Sequence, residues 1–330
     1  MIAHDNFPLS TILYYRIGGI ARYLLEIRSH EDLLMALDFV RTRHVERMIV
    51  VGLGSNLLFP DDYFDGAVLR FTSSDAPQLY AQGDGLLRAF AGEELDRAIN
   101  FAFDSGCTGL EWAGGLPGTV GAAVRGNVGA FGGELKDVLE SADLLELREG
   151  TPEIHTLDRA GLRFSYRDSI VKQNRGLIVV SASFQLRQAS KEELQRARES
   201  YRSNIEYRQS NHPMEYPTCG SVFKNIEKGE DVNRIMAVWP DLQEMVDTRW
   251  HGKVSMGYVI NRLGLAGFQI GGAQISLKHN NFIVNLGGAR FSDVYGIIEM
   301  VKQRFAESFG FTPEAEVEIV KVRKIEERLQ

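Results

Sequence analysis

The 330 residues carry a formal net charge of −7, with 44% hydrophobic and 25% charged side chains, a composition typical of a soluble globular protein of about two domains. The acidic balance argues against a general nucleic-acid-binding protein, because such a protein shows a basic patch or stripe. The first ten residues lack the apolar core of a signal peptide, the apolar runs are too short to span a bilayer, and only two cysteines occur, so we expect a cytoplasmic protein with no membrane partner.

Helical and strand patterns alternate along the first half of the chain. Ser29 is placed to cap a helix, because Asp32 follows three residues later and apolar residues then recur at helical spacing up to Val40. A second helical stripe runs from Leu95 to Phe103. Short apolar runs predict strands at Met48–Val51, Ala67–Phe71, Leu86–Phe90 and Leu177–Leu186.

The second half begins with a polar helix. Ser190 and Glu193 form a capping box that predicts a helix from Lys191 to about Ile205. This charged segment is the best linker between two halves of the chain. A last helix is predicted after Ser292, with Gly310 as its end.

A first glycine loop follows the strand at Met48–Val51 and reads Gly52-Leu53-Gly54-Ser55-Asn56-Leu57. The Rossmann fingerprint requires a glycine at the sixth position, where the helix packs on the strand. Leu57 occupies that position, so the match to a Rossmann dinucleotide site fails. A tight turn is the alternative interpretation.

A second glycine loop covers residues 113–133, where helical and strand periods are weak, and we expect a long structured loop. Glycines let backbone N–H groups approach a phosphate and form an anion nest. A surface loop with turn glycines is the alternative. The two glycine loops lie about 60 residues apart, which suits a two-lobed cofactor site with one loop on each side of a pyrophosphate.

Seven segments, in order along the chain, resemble the motifs of a known family. They are Arg16–Gly19, Gly52–Leu58, Gly109–Gly121, Tyr166–Ser169, Pro213–Asn225, Ile270–Ala273 with Lys278–Asn285, and Glu314–Val317. With these motifs the chain resembles the UDP-N-acetylenolpyruvoylglucosamine reductase (MurB) family. The Tyr-Arg-x-Ser form and the lack of extra insertions are similar to the shorter subtype of that family.

The resemblance implies an α+β fold, with an FAD-binding domain of the PCMH (vanillyl-alcohol-oxidase) type and a separate C-terminal α+β substrate-binding domain. We expect the FAD-binding domain at residues 1–189, in two lobes of about 1–71 and 72–189. The substrate-binding domain would cover 190–310, and a tail at 311–330 would return to the active site. The oligomeric state is not indicated by the sequence.

The resemblance also implies an activity. The family reduces the enolpyruvyl ether of UDP-N-acetylglucosamine-enolpyruvate to UDP-N-acetylmuramate for peptidoglycan synthesis. FAD and NADPH would be the cofactors, with hydride passing from NADPH through the flavin to the substrate. The partner would be this small-molecule substrate.

The resemblance assigns three catalytic residues, each with a simpler alternative. Ser221 would donate the proton, although a turn serine is the plain interpretation. Arg167 would pair with the substrate carboxylate and stabilise the enolate, since its planar fork suits a carboxylate; a surface salt bridge is the alternative. Glu316 would act near the enolate as an acid or by orienting water, with Glu314 and Glu318 as rivals.

Binding residues follow from the same motifs. Lys224, Asn225 and Lys278 would hold the substrate. No metal site is expected, because the seven histidines are scattered without ligand spacing, and Cys219 is expected to pack. The residues expected to contact the cofactor are Gly52, Leu53, Gly54, Ser55, Asn56, Leu57, Gly115, Pro117, Gly118, Thr119, Gly121, Asn127, Gly129 and Ala130.

The chain departs from the family pattern at a few positions, none of which removes a chemical group that the mechanism needs. Leu53 replaces a usual glycine, Ala315 and Ile226 replace usual prolines, and Arg125 and Gly126 stand where bulkier residues are common.

Two other functions remain open at this point. A flavin oxidase of the same fold would share the glycine loops, but it often attaches its flavin through a histidine or cysteine, and neither loop contains one. A non-catalytic FAD or nucleotide-sugar binding protein should have lost a catalytic group, whereas Arg167, Ser221 and Glu316 are all present.

Overall fold

The structure is a computed structural model that describes residues 1–147, 152–227 and 229–320. The chain forms two compact units. Unit 1 contains Met1–Phe7, Ala21–Leu53 and Phe64–Ser210, and unit 2 contains Pro8–Ile20, Gly54–Tyr63 and the chain from Asn211 onward. The domain boundaries expected at residues 189 and 310 stay a prediction. Residues 321–330 of the predicted tail lie outside the described residues.

Helices and strands mix along the chain, as the sequence predicts. The α-helices are α1 His30–Thr42, α2 Leu95–Asp104, α3 Val120–Gly126, α4 Ile170–Gln173, α5 Lys191–Asn211, α6 Glu230–Val238, α7 Gln243–Thr248, α8 Met256–Arg262 and α9 Phe291–Phe309. The strands are β1 Ile2–Pro8, β2 Ile20–Ile27, β3 Met48–Val51, β4 Leu57–Leu58, β5 Phe64–Phe71, β6 Leu79–Ala81, β7 Leu86–Phe90, β8 Cys107–Thr108, β9 Gly129–Ala130, β10 Gly133–Glu134, β11 Leu139–Glu146, β12 Glu153–Asp158, β13 Leu177–Gln185, β14 Arg187–Gln188, β15 Gln269–Ile270, β16 Ala273–Ile275, β17 Ile283–Asn285 and β18 Glu318–Ile319.

Unit 1 contains two main sheets. The first has the strand order β1-β2-β5-β3, with β2 and β3 both parallel to β5. The second has the order β12-β11-β13-β7-β6 and is antiparallel throughout. The central strand β13 is buried along most of its length, which is why it reads as a continuous apolar run. Side chains of both sheets and of α1 and α2 join one hydrophobic cluster.

The helices of unit 1 follow their sequence signals. Ser29 accepts a hydrogen bond from the backbone N–H of Asp32 at 3.1 Å, and this cap starts α1. The capping box of α5 is also present, with Glu193 and Ser190 bonded reciprocally at 2.8 and 3.2 Å. The helix runs past the predicted end to Asn211. Because Ala197 and Tyr201 pack in the cluster of unit 1, α5 is part of that unit rather than a free linker.

The prediction of one long structured loop at residues 113–133 is wrong. The helix α3 lies within them, followed by β9 and β10. The Thr119 side chain accepts from the N–H of Ala122 at 3.4 Å and caps α3, whose Val120 and Val124 are buried. The glycines at both ends of the helix lower its intrinsic propensity, so burial of the apolar side chains, which the local pattern conceals, provides its stability.

Unit 2 is organised around α9, which buries one apolar stripe in the core of that unit. The stripe is Val294, Ile297, Ile298, Val301 and Phe305. The helix starts at Phe291, before Ser292, because Asp293 accepts from the N–H of Arg290 at 3.0 Å and closes the first turn. Gly310 ends it in the left-handed region at φ 74°, as predicted. The strands β15, β16 and β17 form a small antiparallel sheet.

Across the described parts of the chain, none of the helices combines the length and the apolar character that crossing a membrane requires.

The turn between β6 and β7 offers a matched pair of substitutions. Gly83 and Gly85 both have left-handed φ, at 88° and 79°, but a Cβ at Gly85 would lie 2.1 Å from the Leu186 carbonyl oxygen, whereas one at Gly83 would meet no atom within 4 Å. We expect Gly83→Ala to cost about 1–2 kcal/mol of unfolding free energy from backbone strain. Gly85→Ala should cost about 1–3 kcal/mol more, because the backbone must also move. Urea unfolding of both variants measures the difference, and equal losses would contradict this account.

Candidate active site

The two glycine loops meet inside unit 1. A Cβ at Gly52 would lie 2.6 Å from Oγ1 of Thr119 and 3.2 Å from its Cγ2. Only a glycine permits so close an approach of the first loop to the second. The sequence predicts that these loops flank one ligand, and within unit 1 their contact at Gly52 and Thr119 agrees with that arrangement.

The second loop presents bare backbone with room for a ligand. A Cβ at Gly118, Gly126 or Gly132 would meet no protein atom within 4 Å. Glycine-lined backbone of this kind lets N–H groups approach a pyrophosphate, so the residues present fit a flavin dinucleotide. The other expected contacts in this loop are Gly115, Pro117, Gly121, Gly129 and Ala130, and Gly129 and Ala130 form β9, paired with β10.

Asn127 has a structural role that the sequence does not reveal. It is fully buried, with φ 40°, at the end of α3. Its Nδ2 donates to Glu134 and to the Ser165 carbonyl, each at 2.9 Å, and its Oδ1 accepts from the N–H of Lys136 at 3.1 Å. The side chain thus bonds three parts of unit 1, and a cofactor contact at Asn127 would use its main chain.

Arg167 projects from a tight turn in unit 1. Its φ of 56° is in the left-handed region, which is uncommon for a non-glycine residue. The turn is anchored at both sides: Ser169 donates to the Arg125 carbonyl at 2.7 Å, and Lys172 donates to the Arg167 carbonyl at 2.8 Å. The guanidinium donates through Nη2 to the Gly129 carbonyl at 2.7 Å. Arg167 therefore lies against the second glycine loop.

In unit 2, main-chain hydrogen bonds place the Ser221 and Glu316 segments side by side. The N–H of Glu316 donates to the carbonyl of Val222 at 2.7 Å, and the N–H of Val222 donates to Asn281 at 2.8 Å. The buried Asn281 side chain also bonds both backbone groups of Phe223, at 3.0 and 2.8 Å. Ser221 and Glu316 are both half-buried. The structure thus places two of the three expected catalytic residues on adjacent backbone segments of unit 2.

The second part of the first glycine loop belongs to unit 2, where it is bonded to the Glu316 segment. Asn56 donates through Nδ2 to the Glu316 carbonyl at 3.1 Å, and its own carbonyl accepts from the N–H of Glu318 at 3.0 Å. Leu57 then pairs with Glu318 as β4 and β18 run parallel. Gly54 is buried and Ser55 is half-buried beside them.

The expected substrate-binding residues have partners within unit 2. Lys224 Nζ lies 2.6 Å from Glu314, so this rival carboxylate is held in an ion pair, with its side chain largely exposed. Asn225 is exposed, and its Oδ1 accepts from the N–H of Met256 at 3.1 Å. Lys278 Nζ lies 3.9 Å from Glu215.

Cys219 is a packed thiol, as expected. It is buried in the core of unit 2, and its Sγ lies 3.2 Å from the Leu57 carbonyl oxygen. Burial raises the pKa of this thiol to about 12, so the reactive thiolate is absent at neutral pH.

A buried cation that the motifs do not indicate, Arg208, lies in the last turn of α5. Its side chain is 9% exposed and donates through Nε to the Gly114 carbonyl at 2.9 Å. A signal was present in the sequence, because Leu194, Ala197, Tyr201 and Ile205 recur at helical spacing and Arg208 continues the same face. The many other arginines of this polar helix concealed it.

Family models match both halves of the chain. The model described as FAD binding domain matches residues 21–154. The model described as UDP-N-acetylenolpyruvoylglucosamine reductase, C-terminal domain, matches residues 212–320.

Curated relatives extend the match to nearly the whole chain. The UDP-N-acetylenolpyruvoylglucosamine reductase of Synechococcus sp. (strain WH7803) is 36% identical, covering 96% of this chain and 92% of the relative. The protein of that name from Caldicellulosiruptor bescii is 34% identical, with coverages of 96% and 90%.

A solved structure gives the same result at the level of the fold. The crystal structure of UDP-N-acetylenolpyruvylglucosamine reductase (MurB) from Thermus caldophilus matches with a TM-score of 0.70 and 28% identity, over 97% of this chain and 98% of that one. The fold is therefore α+β, with an FAD-binding domain of the PCMH type and a separate C-terminal domain, as predicted. The chain belongs to the UDP-N-acetylenolpyruvoylglucosamine reductase family.

Proposed function

We propose that this chain reduces the enolpyruvyl ether of enolpyruvyl-UDP-N-acetylglucosamine to UDP-N-acetylmuramate, using NADPH and FAD. The observation that carries the proposal is the hydrogen bond of 2.7 Å from the N–H of Glu316 to the Val222 carbonyl, which holds the Ser221 and Glu316 segments together. In the cell this reaction would serve peptidoglycan precursor synthesis in the cytoplasm. Bound FAD would supply the hydride chemistry, accepting hydride from NADPH and passing it to the substrate.

Ser221 is the proposed proton donor to the carbon next to the substrate carboxylate. A hydroxyl is a weak acid in water, so its proton transfer depends on a fixed position and on the developing negative charge of the substrate. The structure supports a fixed position, because the N–H of Val222, the next residue, donates to Asn281 and its carbonyl accepts from Glu316. Gly220 precedes Ser221 with φ 77°, in the left-handed region that favours glycine.

Arg167 is the proposed carboxylate-binding residue. A guanidinium binds a carboxylate through two parallel N–H groups and stabilises charge that develops on the adjacent enolate. Its turn is braced by Ser169 and Lys172, and the Gly129 carbonyl accepts from its Nη2, which supports a fixed starting position for the guanidinium.

Glu316 is proposed to act on the enolate side, as an acid or by orienting water. Its main chain is held at both backbone groups, by Val222 and by Asn56. The bond from Asn56 joins the first glycine loop to the glutamate, so a change in that loop would move the carboxyl group.

The cofactor residues proposed in unit 1 are those of the two loops around Gly52 and Thr119. Their close approach shapes the backbone that would hold the pyrophosphate. Lys224, Asn225 and Lys278 remain the proposed residues for the nucleotide sugar, and the first and last of them carry charge suited to phosphates.

The visible absorption spectrum of the purified protein tests the proposal. NADPH added without oxygen should bleach the flavin bands, and enolpyruvyl-UDP-N-acetylglucosamine should then restore them. Recovery with oxygen but not with the sugar nucleotide would indicate a flavin oxidase instead. A protein that binds no FAD would contradict both functions.

Substitution of Ser221 separates the two half-reactions. We expect Ser221→Ala to leave bleaching by NADPH near the wild-type rate, because the serine acts only on the substrate. Recovery with the enolpyruvyl substrate should slow by about 10²- to 10⁴-fold, the usual contribution of a positioned acid. Stopped-flow absorbance measures both steps. Ser292→Ala, at an exposed serine of unit 2, is the control, and normal recovery in Ser221→Ala would contradict the assignment.

A second pair of variants tests the meeting of the glycine loops. Gly52→Ala should reduce FAD retention and the unfolding temperature of the apoprotein, since its Cβ would lie 2.6 Å from Oγ1 of Thr119. Thr119→Ala alone should cost about 1 kcal/mol through loss of the helix cap. In the double variant the obstruction is gone, and we expect FAD retention above that of Gly52→Ala. The absorbance ratio of flavin to protein measures retention, and a double variant worse than both singles would refute the contact.

A further inference from the structure

Arg208 is held at a defined position in unit 1 by three neighbours. Its Nε donates to the Gly114 carbonyl at 2.9 Å, and its guanidinium lies 5.1 Å from the ring centre of Phe131. Its Cδ would lie 3.1 Å from a Cβ at Gly115. The side chain is therefore packed against both ends of the second glycine loop, with only 9% of its surface exposed.

The neighbouring charge is another arginine. Arg167 donates to the carbonyl of Gly129, two residues before Phe131, so both guanidinium groups contact the segment 129–131. Burial, and then the positive charge of Arg167, lower the pKa of Arg208 to about 10. The group still carries its charge at neutral pH, and the two positive charges repel each other.

No carboxylate lies within ion-pair distance of Arg208 in the ranges 1–147, 152–227 and 229–320 that the structure describes. Burying a charge without an opposite charge is unfavourable unless a ligand supplies one. Only Nε of Arg208 donates to the described protein, so its two terminal nitrogens are available to an anion.

We propose that Arg208 forms, together with Arg167, a paired-guanidinium subsite that binds the carboxylate of the enolpyruvyl substrate. The inference rests on the proposed function and deepens it, because it adds a second residue that recognises the part of the substrate that distinguishes it from UDP-N-acetylglucosamine. Two guanidinium groups match the two oxygens of one carboxylate and stabilise the charge that spreads onto them in the enolate.

A purely structural role is the competing explanation. In that case Arg208 would only fasten α5 to the glycine loop through the Gly114 hydrogen bond. The two explanations differ in ligand selectivity, because a fastening residue affects any ligand equally or acts through loss of FAD.

Isothermal titration calorimetry on the FAD-loaded protein tests the subsite with two ligands, enolpyruvyl-UDP-N-acetylglucosamine and UDP-N-acetylglucosamine. Arg208→Gln should weaken the first by roughly 10- to 100-fold, the value of a hydrogen bond to a charged group, and leave the second unchanged. Arg208→Lys should keep part of the selectivity, because it keeps the charge. The control is Arg202→Gln, at an exposed arginine of the same helix, which should bind as the wild type does.

Flavin content and unfolding temperature are measured for every variant, so that a folding defect is seen directly. If Arg208→Gln weakens both ligands equally, Arg208 fastens the loop or binds the pyrophosphate that both ligands share, and the carboxylate assignment is wrong. If neither affinity changes, Arg208 contacts neither ligand and the subsite is overturned. A wild-type protein that does not prefer the enolpyruvyl ligand would refute the proposed function itself, and the subsite with it.

Discussion

The candidate chemistry of unit 2 depends on the buried Asn281, which holds the backbone of Val222 and Phe223 by hydrogen bonds. Asn281 bonds both backbone groups of Phe223 through its side chain and accepts from Val222 through its carbonyl. The Val222 carbonyl accepts a hydrogen bond from the N–H of Glu316. Since the backbone of Val222 and of Phe223 is held by these bonds, Ser221, the residue before them, has a defined position without a helix or a long strand. A buried amide without hydrogen-bond partners would lower the free energy of unfolding, so the hydrogen bonds of Asn281 favour this one arrangement.

The elements that the sequence predicts well are those whose signals are local. The caps at Ser29 and Ser190 and the apolar stripes of α2 and α9 lie within a few turns of chain, and the structure confirms these helices. The helix α3 was not predicted, because its glycines argue against a helix and its stability comes from side chains buried against distant parts of unit 1. The start of α9 was misplaced for a related reason: Asp293, not Ser292, closes its first turn.

The candidate site shows the same difference between local signals, which the sequence contains, and distant contacts, which it does not. Motifs identify Arg167, Ser221 and Glu316 as candidate catalytic residues, but they do not show which polar side chains are already hydrogen-bonded within the protein. Asn127 is expected at the cofactor, and its side chain is already hydrogen-bonded to three parts of unit 1. Arg208 was not expected, because in sequence it is one of several arginines in a polar helix, and only its burial separates it from the others. Burial depends on the whole fold, which spacing alone does not supply.

The division of the first glycine loop has a consequence for how the protein folds. The chain enters unit 2 for Pro8–Ile20, returns to unit 1, and enters unit 2 again for Gly54–Tyr63. Tyr15, Ile17 and Leu58 from these two segments are buried in the core of unit 2. Closing such long loops is slow, since their entropy is lost before the contacts form. During synthesis these early pieces must wait for the C-terminal half to emerge from the ribosome. A fragment of residues 212–320 would lack Tyr15, Ile17 and Leu58, and its core would contain cavities where these side chains pack.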